Sequence, residues 1–80
     1  MKRFGEKLKA LRLSRGMTLQ DLALELGYKA HGYISEIETG KKLPSVDCIL
    51  NVSNIFDVSI DLLMKDDLNL RPSDLKKKIK

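Results

Sequence analysis

The middle of the chain, residues 16–45, reads GMTLQDLALELGYKAHGYISEIETGKKLPS. It contains two short apolar patterns with helical spacing, and a glycine follows each of them, at Gly27 and Gly40. Thr18 stands immediately before the first pattern and Asp21 follows three residues later, which is the spacing of a short-armed capping box. These signals predict two successive helices joined by a turn.

The flanking sequence adds three more helical segments. The first would end at Gly16, a fourth follows the Pro44-Ser45 pair, and Ser59 can cap a last one that ends near Met64. No segment alternates with period two, so strands are not expected and the predicted fold is a compact, all-α bundle of five helices. The apolar faces are Phe4, Leu8 and Leu11 in the first helix, Leu19, Leu22, Ala23 and Leu26 in the second, Tyr33, Ile34 and Ile37 in the third, and Val46, Ile49, Leu50, Ser53 and Phe56 in the fourth.

The charge of the chain is sorted along its length. The formal net charge is +4, and residues 71–80 supply all of it, since they hold five basic side chains and one acidic one. Residues 1–15 carry six basic and one acidic side chain, whereas residues 45–67 carry one basic and five acidic ones. The apolar pattern fades after residue 64, so we expect a folded domain over residues 1–66 and a basic, flexible tail over residues 67–80.

Several function classes lack support in the sequence. The single cysteine, Cys48, cannot form an internal disulfide, and it is expected to be a small, buried apolar residue in a reduced, cytoplasmic protein. No apolar run has the length of a signal peptide or of a membrane span. No Cys, His or Asp cluster has the spacing of metal ligands or of a catalytic triad. We therefore expect no metal, no cofactor, no small-molecule ligand and no enzymatic activity.

The quoted stretch resembles the Cro and lambda-repressor-like helix-turn-helix family, and the likeness covers roughly residues 4–64. The resemblance implies a helix-turn-helix in helices 2 and 3 and a small transcriptional regulator that binds double-stranded DNA. The chain departs from the family pattern at Leu19, where the family often has Gln, and in one additional residue between Gly27 and Ser35. The matching residues are Thr18, Leu22, Ala23, Gly27, Ile34, Ser35, Glu38, Gly40, Pro44 and Ser45.

The same resemblance implies roles for two glutamates of the third helix. Arg12 stands at the family position of an arginine that pairs with the glutamate before the glycine, here Glu38, so the two are expected to tie helix 1 to helix 3. Glu36 matches a position that faces the DNA groove, where it could accept a hydrogen bond from a cytosine amino group. The alternative is a solvated Glu36 that Lys29 or Lys41 holds away from phosphate.

The third helix, over about Ala30 to Thr39, is the expected recognition helix. A major groove about 12 Å wide admits one helix, and side chains near its N-terminus read the base edges. His31 alone offers a donor or acceptor in the first turn, so shape and backbone contacts are expected to carry much of the discrimination. The predicted base contacts are His31, Gly32, Ser35 and Glu36, and the predicted DNA backbone contacts are Thr18, Gln20, Lys29, Tyr33, Thr39, Lys41 and Lys42.

The apolar residues between Val58 and Met64 predict that two copies of the chain associate. Leu62, Leu63 and Met64 are consecutive, so they point in different directions around a helix and cannot all face one small core. With Ile60 they form the predicted interface of a homodimer on a palindromic operator, whose recognition helices lie about 34 Å apart. The alternative is that these residues only complete the core.

The sequence also permits a function from another class. A helix-turn-helix scaffold can serve as a protein-interaction module, such as an antitoxin or a regulatory partner that binds a protein. Three features favour this alternative: few side chains that could contact bases, Leu19 in place of the family's Gln, and the acidic segment at residues 45–67.

Overall fold

The computed structural model describes residues 1–76, and every regular element in that range is a helix. The all-α prediction is confirmed, but the number of helices was one too low, because residues 72–76 form an additional short helix. Within the described range no helix combines the length and the apolar character needed to cross a bilayer. The helices are α1 (Phe4–Ser14), α2 (Leu19–Glu25), α3 (Gly32–Glu38), α4 (Val46–Phe56), α5 (Ile60–Met64) and α6 (Pro72–Lys76).

Side-chain caps define where three of these helices begin. The Asp21 backbone N–H donates to Thr18 Oγ1 at 3.0 Å, and the Thr18 backbone N–H donates to the Asp21 carboxylate at 2.9 Å, so the predicted capping box is confirmed. Ser45 and Ser59 cap α4 and α5, and each hydroxyl accepts from a backbone N–H three residues further on. Local sequence therefore determines these helix starts.

The hydrophobic core lies between α1, α2, α3, α4 and α5. Most of the apolar positions predicted for the first three helices are buried, although Leu19 and Tyr33 are only partly so. The buried core residues of these five helices and their flanks are Phe4, Leu8, Leu11, Leu22, Ala23, Leu26, Ile34, Ile37, Cys48, Ile49, Val52, Phe56, Val58 and Leu63.

The buried face of α4 differs in part from the predicted one, although Ile49 and Phe56 are buried as expected. Val46 and Leu50, which were expected in the core, are exposed, whereas Cys48 and Val52 are fully buried. Both sides of this helix carry apolar residues, so the period of 3.6 residues does not by itself show which side turns inward. The expectation of a buried cysteine is confirmed, and burial raises the pKa of the Cys48 thiol.

Gly5 allows α1 to lie directly on the end of α3. A Cβ atom at Gly5 would overlap the carbonyl oxygen of Ile37 and lie 2.9 Å from that of Glu38. Any larger side chain would therefore have to push the two backbones apart. This helix contact depends on the absence of a side chain.

The segment after α5 fixes the beginning of α1. The Asp66 carboxylate accepts from the backbone N–H groups of Lys2 at 3.0 Å and Arg3 at 2.9 Å. These hydrogen bonds lower the pKa of the Asp66 carboxyl group. The Arg3 guanidinium also donates to the backbone carbonyl of Asp66 at 2.8 Å. The start of α1 is thus capped by a residue more than sixty positions away in sequence.

A buried lysine connects α1 to the end of α5. Lys7 is 1% exposed, and its Nζ donates to the backbone carbonyls of Leu62 at 2.6 Å and Lys65 at 2.8 Å. A cation is favourable at a helix C-terminus, where unpaired carbonyls carry partial negative charge. Burial nevertheless lowers the pKa of the Lys7 amine.

The additional helix α6 packs beside the end of α1. The Arg15 guanidinium donates to the backbone carbonyls of Asp74 at 3.1 Å and Leu75 at 3.3 Å, and it lies 5.4 Å from the centre of the Phe56 ring. The Asp74 side chain is buried. Residues 67–76, which were predicted to belong to a flexible tail, thus contact the domain. Residues 77–80 of that predicted tail lie outside the described residues.

Candidate nucleic-acid interface

The turn between α2 and α3 determines where α3, the predicted recognition helix, starts. Gly27 adopts a positive φ of 85°, and the Tyr28 backbone N–H donates to the carbonyl of Ala23 at 2.8 Å, which closes the end of α2. The helix α3 begins only at Gly32, with His31 as its N-cap residue. The expected range of Ala30 to Thr39 was therefore too long at its start, where the additional residue of the turn extends the non-helical segment. It was also too long by one residue at its end, where Thr39 is the C-cap.

Two tyrosines pack the turn against α3. The rings of Tyr28 and Tyr33 have their centres 4.9 Å apart and are tilted by 56°. The Tyr33 hydroxyl oxygen accepts a hydrogen bond from the backbone N–H of Ser45 at 3.2 Å. Tyr33, a predicted DNA backbone contact, therefore also ties α3 to the start of α4.

The residues predicted to contact bases follow one another from the N-cap of α3 into its second turn. His31 and Gly32 are exposed, and Ser35 and Glu36 are half-buried. The Glu36 carboxylate lies 3.4 Å from the Nζ of Lys42. Lys42 is thus the basic neighbour of Glu36, where the sequence had suggested Lys29 or Lys41.

The loop after α3 carries the predicted phosphate-binding lysines. Gly40 has a φ of 83°, and the backbone N–H groups of Lys41 and Lys42 donate to the Glu36 carbonyl at 2.8 Å and 3.2 Å. Both lysine side chains are exposed. The Thr39 hydroxyl donates to the backbone carbonyls one turn earlier in α3. The loop therefore presents two cations close to α3.

The remaining predicted phosphate contacts lie on α2 and in the turn that follows it. Thr18 and Gln20, at the start of α2, and Lys29, in the turn, are exposed. The Thr18 side chain is part of the capping box, so its hydroxyl already accepts a hydrogen bond from the Asp21 backbone. Within the described residues there is no group of His, Cys, Asp and Glu side chains that could hold a metal ion.

A buried ion pair holds α3 against α1. Arg12 Nε and Nη2 donate to the two carboxylate oxygens of Glu38 at 2.8 Å and 3.1 Å, and Nη1 donates to the carbonyl of Met17 at 2.8 Å. The Arg12 and Glu38 side chains are 9% and 5% exposed. Glu38 therefore adds no negative charge to the exposed face of α3, and one guanidinium orients α1, α3 and the segment before α2.

The surface predicted for dimerisation is smaller than expected. Leu63 is completely buried and belongs to the core, so its assignment to an interface was wrong. Leu62 is half-buried, and Ile60 and Met64 are 36% and 38% exposed. Of the four candidates, the helix turns Leu63 inward and leaves the others with modest exposed apolar area.

Residues 8–63 match the family model described as helix-turn-helix. The chain belongs to the helix-turn-helix family. This family consists of DNA-binding domains of transcriptional regulators and is not a family of enzymes, and the Cro and lambda-repressor-like resemblance is confirmed.

Among helix-turn-helix proteins, the chain is similar to three curated regulators. It is 42% identical over 62 residues to the SPbeta prophage-derived uncharacterized HTH-type transcriptional regulator YonR of Bacillus subtilis, covering 78% of this chain and 56% of that protein. It is 38% identical over 66 residues to the uncharacterized HTH-type transcriptional regulator YqaE of the same organism, covering 82% of this chain and 56% of that protein. It is 36% identical over 64 residues to the HTH-type transcriptional activator BcrR of Enterococcus faecalis, covering 80% of this chain and 31% of that protein. The chain spans about half the length of the first two proteins and a third of the last.

The helix-turn-helix fold is also similar to a solved structure. The N-terminal DNA-binding domain of SinR from Bacillus subtilis superposes with a TM-score of 0.75 and 30% identity, over 86% of this chain and all of that domain. The family match and the structural superposition therefore both confirm the predicted fold class.

Proposed function

We propose that this chain is a sequence-specific transcriptional regulator that binds a palindromic DNA operator as a homodimer, with α3 in the major groove. The observation that carries this proposal is the exposure of His31 and Gly32 at the N-terminal end of α3, beside the exposed lysines at positions 41 and 42. An exposed helix end next to cations has the shape and charge that a groove bordered by phosphates requires. Such a protein would act in the cytoplasm.

The proposed base contacts are His31, Gly32, Ser35 and Glu36. The imidazole of His31 can donate or accept at a base edge, and the carboxylate of Glu36 can accept from a cytosine amino group. The pairing of Glu36 with Lys42 at 3.4 Å offsets the repulsion between this carboxylate and the nearby phosphates.

Phosphate binding is assigned chiefly to the long, exposed side chains around the recognition helix. Lys29, Lys41 and Lys42 supply positive charge, and Gln20 supplies an amide donor near the start of α2. Thr18, Tyr33 and Thr39 complete the proposed set, although their hydroxyl groups already take part in hydrogen bonds within the protein. Their contribution to DNA affinity should therefore be smaller than that of the lysines.

The test separates base reading from phosphate binding. Duplexes are selected from a random pool with the wild type and with His31→Ala and Glu36→Ala, and we expect both variants to change the preferred sequence. Lys41→Ala and Lys42→Ala should instead weaken binding to all duplexes and lower the slope of log affinity against log salt by about one unit each. Lys65→Ala removes the same charge outside the proposed interface and should leave the slope nearly unchanged. An identical selected sequence for wild type and His31→Ala would contradict the base-reading assignment.

A protein-interaction module on this scaffold is the second candidate. Exposed apolar residues favour it, above all Leu43 and Val46, because contiguous exposed apolar surface commonly marks a protein contact. The two functions differ in their response to salt. A wild-type slope near zero on random duplex would exclude DNA binding and leave the interaction module, since phosphate contacts must release counterions.

A further inference from the structure

Tyr28, in the turn before α3, contacts three helices. Its backbone N–H donates to the carbonyl of Ala23 at 2.8 Å, which closes the end of α2. Its ring packs on that of Tyr33 in α3, with the ring centres 4.9 Å apart. Its hydroxyl group interacts with the side chains of Ser45 and Cys48 at the start of α4. The half-buried Tyr28 side chain therefore serves contacts within the protein.

Ser45, the N-cap residue of α4, is contacted by both tyrosines. The Tyr33 hydroxyl oxygen accepts from the Ser45 backbone N–H at 3.2 Å, and the Tyr28 hydroxyl interacts with the Ser45 side chain. The Ser45 hydroxyl in turn accepts from the backbone N–H of Cys48 at 3.1 Å. The two tyrosines thus join the turn before α3 to the cap of α4.

His31, a proposed base contact, lies between the two tyrosines in the sequence. Its side chain is exposed and makes no capping hydrogen bond, so His31 is placed by its backbone and not by packing of the imidazole. The hydrogen bond that starts α3 joins the Ser35 backbone N–H to the His31 carbonyl at 3.0 Å. Tyr28 before His31 and Tyr33 after it supply the packing that fixes this backbone.

The same contacts connect base reading to phosphate binding. Lys41 and Lys42, two proposed phosphate contacts, lie four and three residues before Ser45 in the loop that leads to α4. Phosphate contacts position a protein on a duplex, so base contacts depend on how accurately the reading side chains are held relative to them. A turn anchored at Ser45 holds His31 at a fixed place relative to the two lysines.

We propose that Tyr28 is a positioning residue for sequence recognition, which acts on the bases through His31 without contacting DNA itself. This inference rests on the proposed function, because it concerns the specificity of the same interface. The additional residue between Gly27 and Ser35 gives the turn more conformations, and a side-chain contact is needed to select one of them. Tyr28 supplies that contact from the first residue after Gly27.

The first test measures positioning in the free protein, by amide hydrogen exchange. Tyr28→Leu removes the ring contact and the hydroxyl, so the Ser35 amide should exchange at least about tenfold faster relative to the Lys7 amide. The Lys7 amide donates to the Arg3 carbonyl at the start of α1 and serves as the internal control for global opening. Tyr28→Phe keeps the ring and should accelerate exchange less. Equal Ser35 exchange in the wild type and Tyr28→Leu would overturn the inference.

The second test measures discrimination, which is the ratio of the affinity for the selected duplex to that for random duplex. Tyr28→Leu should lower this ratio about tenfold, the size of one lost base contact, and leave the salt slope unchanged because no cation is removed. Tyr28→Phe should retain more of the ratio. In a His31→Ala background, Tyr28→Leu should lower the ratio by a smaller factor, since the residue that it positions is then absent.

Ser59→Ala is the matched control for a loss of stability. It removes the side-chain cap of α5, outside the proposed interface, and should leave the discrimination ratio unchanged. Circular dichroism at the temperature of the binding experiment checks that each variant is folded.

The results distinguish this inference from the proposed function. An unchanged ratio in Tyr28→Leu, or independent effects of Tyr28→Leu and His31→Ala, would overturn the positioning role and leave DNA binding in place. An equal loss of affinity for selected and random duplexes would also overturn it, because Tyr28 would then contact the DNA backbone itself. A wild type with a salt slope near zero would overturn the proposed function and this inference together, although exchange at Ser35 would still show whether Tyr28 holds the start of α3.

Discussion

The two ends of α3 are held in opposite ways. At the C-terminal end, the backbone touches Gly5 of α1 and the buried Glu38 forms a bidentate pair with Arg12. At the N-terminal end, His31 and Gly32 are exposed, and no side chain among the described residues caps the helix. The protein fixes the helix backbone at its C-terminal end, holds the first turn through Tyr33, and leaves His31 and Gly32 uncovered.

This difference shows how a small domain can position a reading surface without covering it. Side chains that contact a ligand must be accurately placed, yet any protein group packed over them would compete with the ligand. In this chain Arg12 and Gly5 of α1 constrain α3 at its C-terminal end, where Arg12 pairs with Glu38. The exposed end is therefore oriented by residues that need not touch DNA.

The largest effect is expected at the close contact between α1 and α3. In Gly5→Ala, the new methyl group would overlap the Ile37 carbonyl, so the helices must separate and the buried pair behind them is disturbed. We expect a loss of more than about 4 kcal/mol in the free energy of unfolding, or no folded protein at all. Urea denaturation followed by circular dichroism measures it. An unchanged midpoint would show that α1 does not need this close approach.

Gly32→Ala is the matched substitution at the opposite end of α3. A Cβ atom at Gly32 would meet no heavy atom of residues 1–76 within 4 Å. Because alanine lowers the entropy of the unfolded chain and favours helix, we expect a gain of about 0.5 to 1 kcal/mol in the same denaturation experiment. The two glycine variants should thus shift the midpoint in opposite directions, and shifts of the same sign would contradict the comparison of the two ends.

The buried pair of Arg12 and Glu38 should show the next largest loss of stability after Gly5→Ala. Arg12→Met or Glu38→Gln leaves one charged partner in a site that is less than a tenth exposed, and each should destabilise the fold by roughly 2 to 4 kcal/mol. The double variant should lose less than the sum of the two single losses, since neither charge is then left alone. Additive losses in this double-mutant cycle would show that the two side chains do not act as a unit.

The smallest effect is a dependence on pH at the start of α1. Backbone hydrogen bonds lower the pKa of Asp66 in the folded state, so its stabilising contribution is present above the unfolded pKa of about 3.9 and is lost as pH falls through the folded value. We expect the stability of the wild type to decline below about pH 4, and Asp66→Asn to decline less steeply over that range. Asp67→Asn, next in sequence, is the control. Equal acid slopes for the wild type and Asp66→Asn would exclude this cap as the cause.

Features that depend on neighbours in sequence could be predicted well. The Thr18–Asp21 capping box is encoded within four residues, and the burial of Cys48 follows from the general behaviour of unpaired cysteine. The resemblance to Cro and lambda-repressor-like proteins directed attention to Arg12 and Glu38, which neither spacing nor composition would have paired. These predictions need no knowledge of how the helices pack.

Features that depend on packing could not be predicted. Gly5 carries no local signal, because the neighbouring sequence does not show whether a second backbone lies against a helical glycine. Two positions of α4 were misassigned, because Val46 and Leu50 are as apolar as the residues that are buried. The helix α6 was missed because its contact with Arg15 joins residues that are sixty positions apart.

The candidate site shows the same division. The exposed lysines and the approximate position of α3 follow from the sequence pattern, but the start of α3 depends on how the lengthened turn folds. That turn is held by the packing of Tyr28 on Tyr33, which sequence spacing did not indicate. His31 consequently lies at the N-cap position and not inside the helix.

The buried amine of Lys7 makes this lysine a chemical reporter of local opening. Acetylating reagents attack uncharged, accessible amines, and the Lys7 amine is enclosed between α1 and the carbonyls that end α5. Its acylation rate therefore equals the reaction rate of an open state multiplied by the population of that state. Exposed lysines such as Lys29 and Lys41 react without opening, so the ratio of the two rates reads out how often α5 separates from α1 in the folded protein.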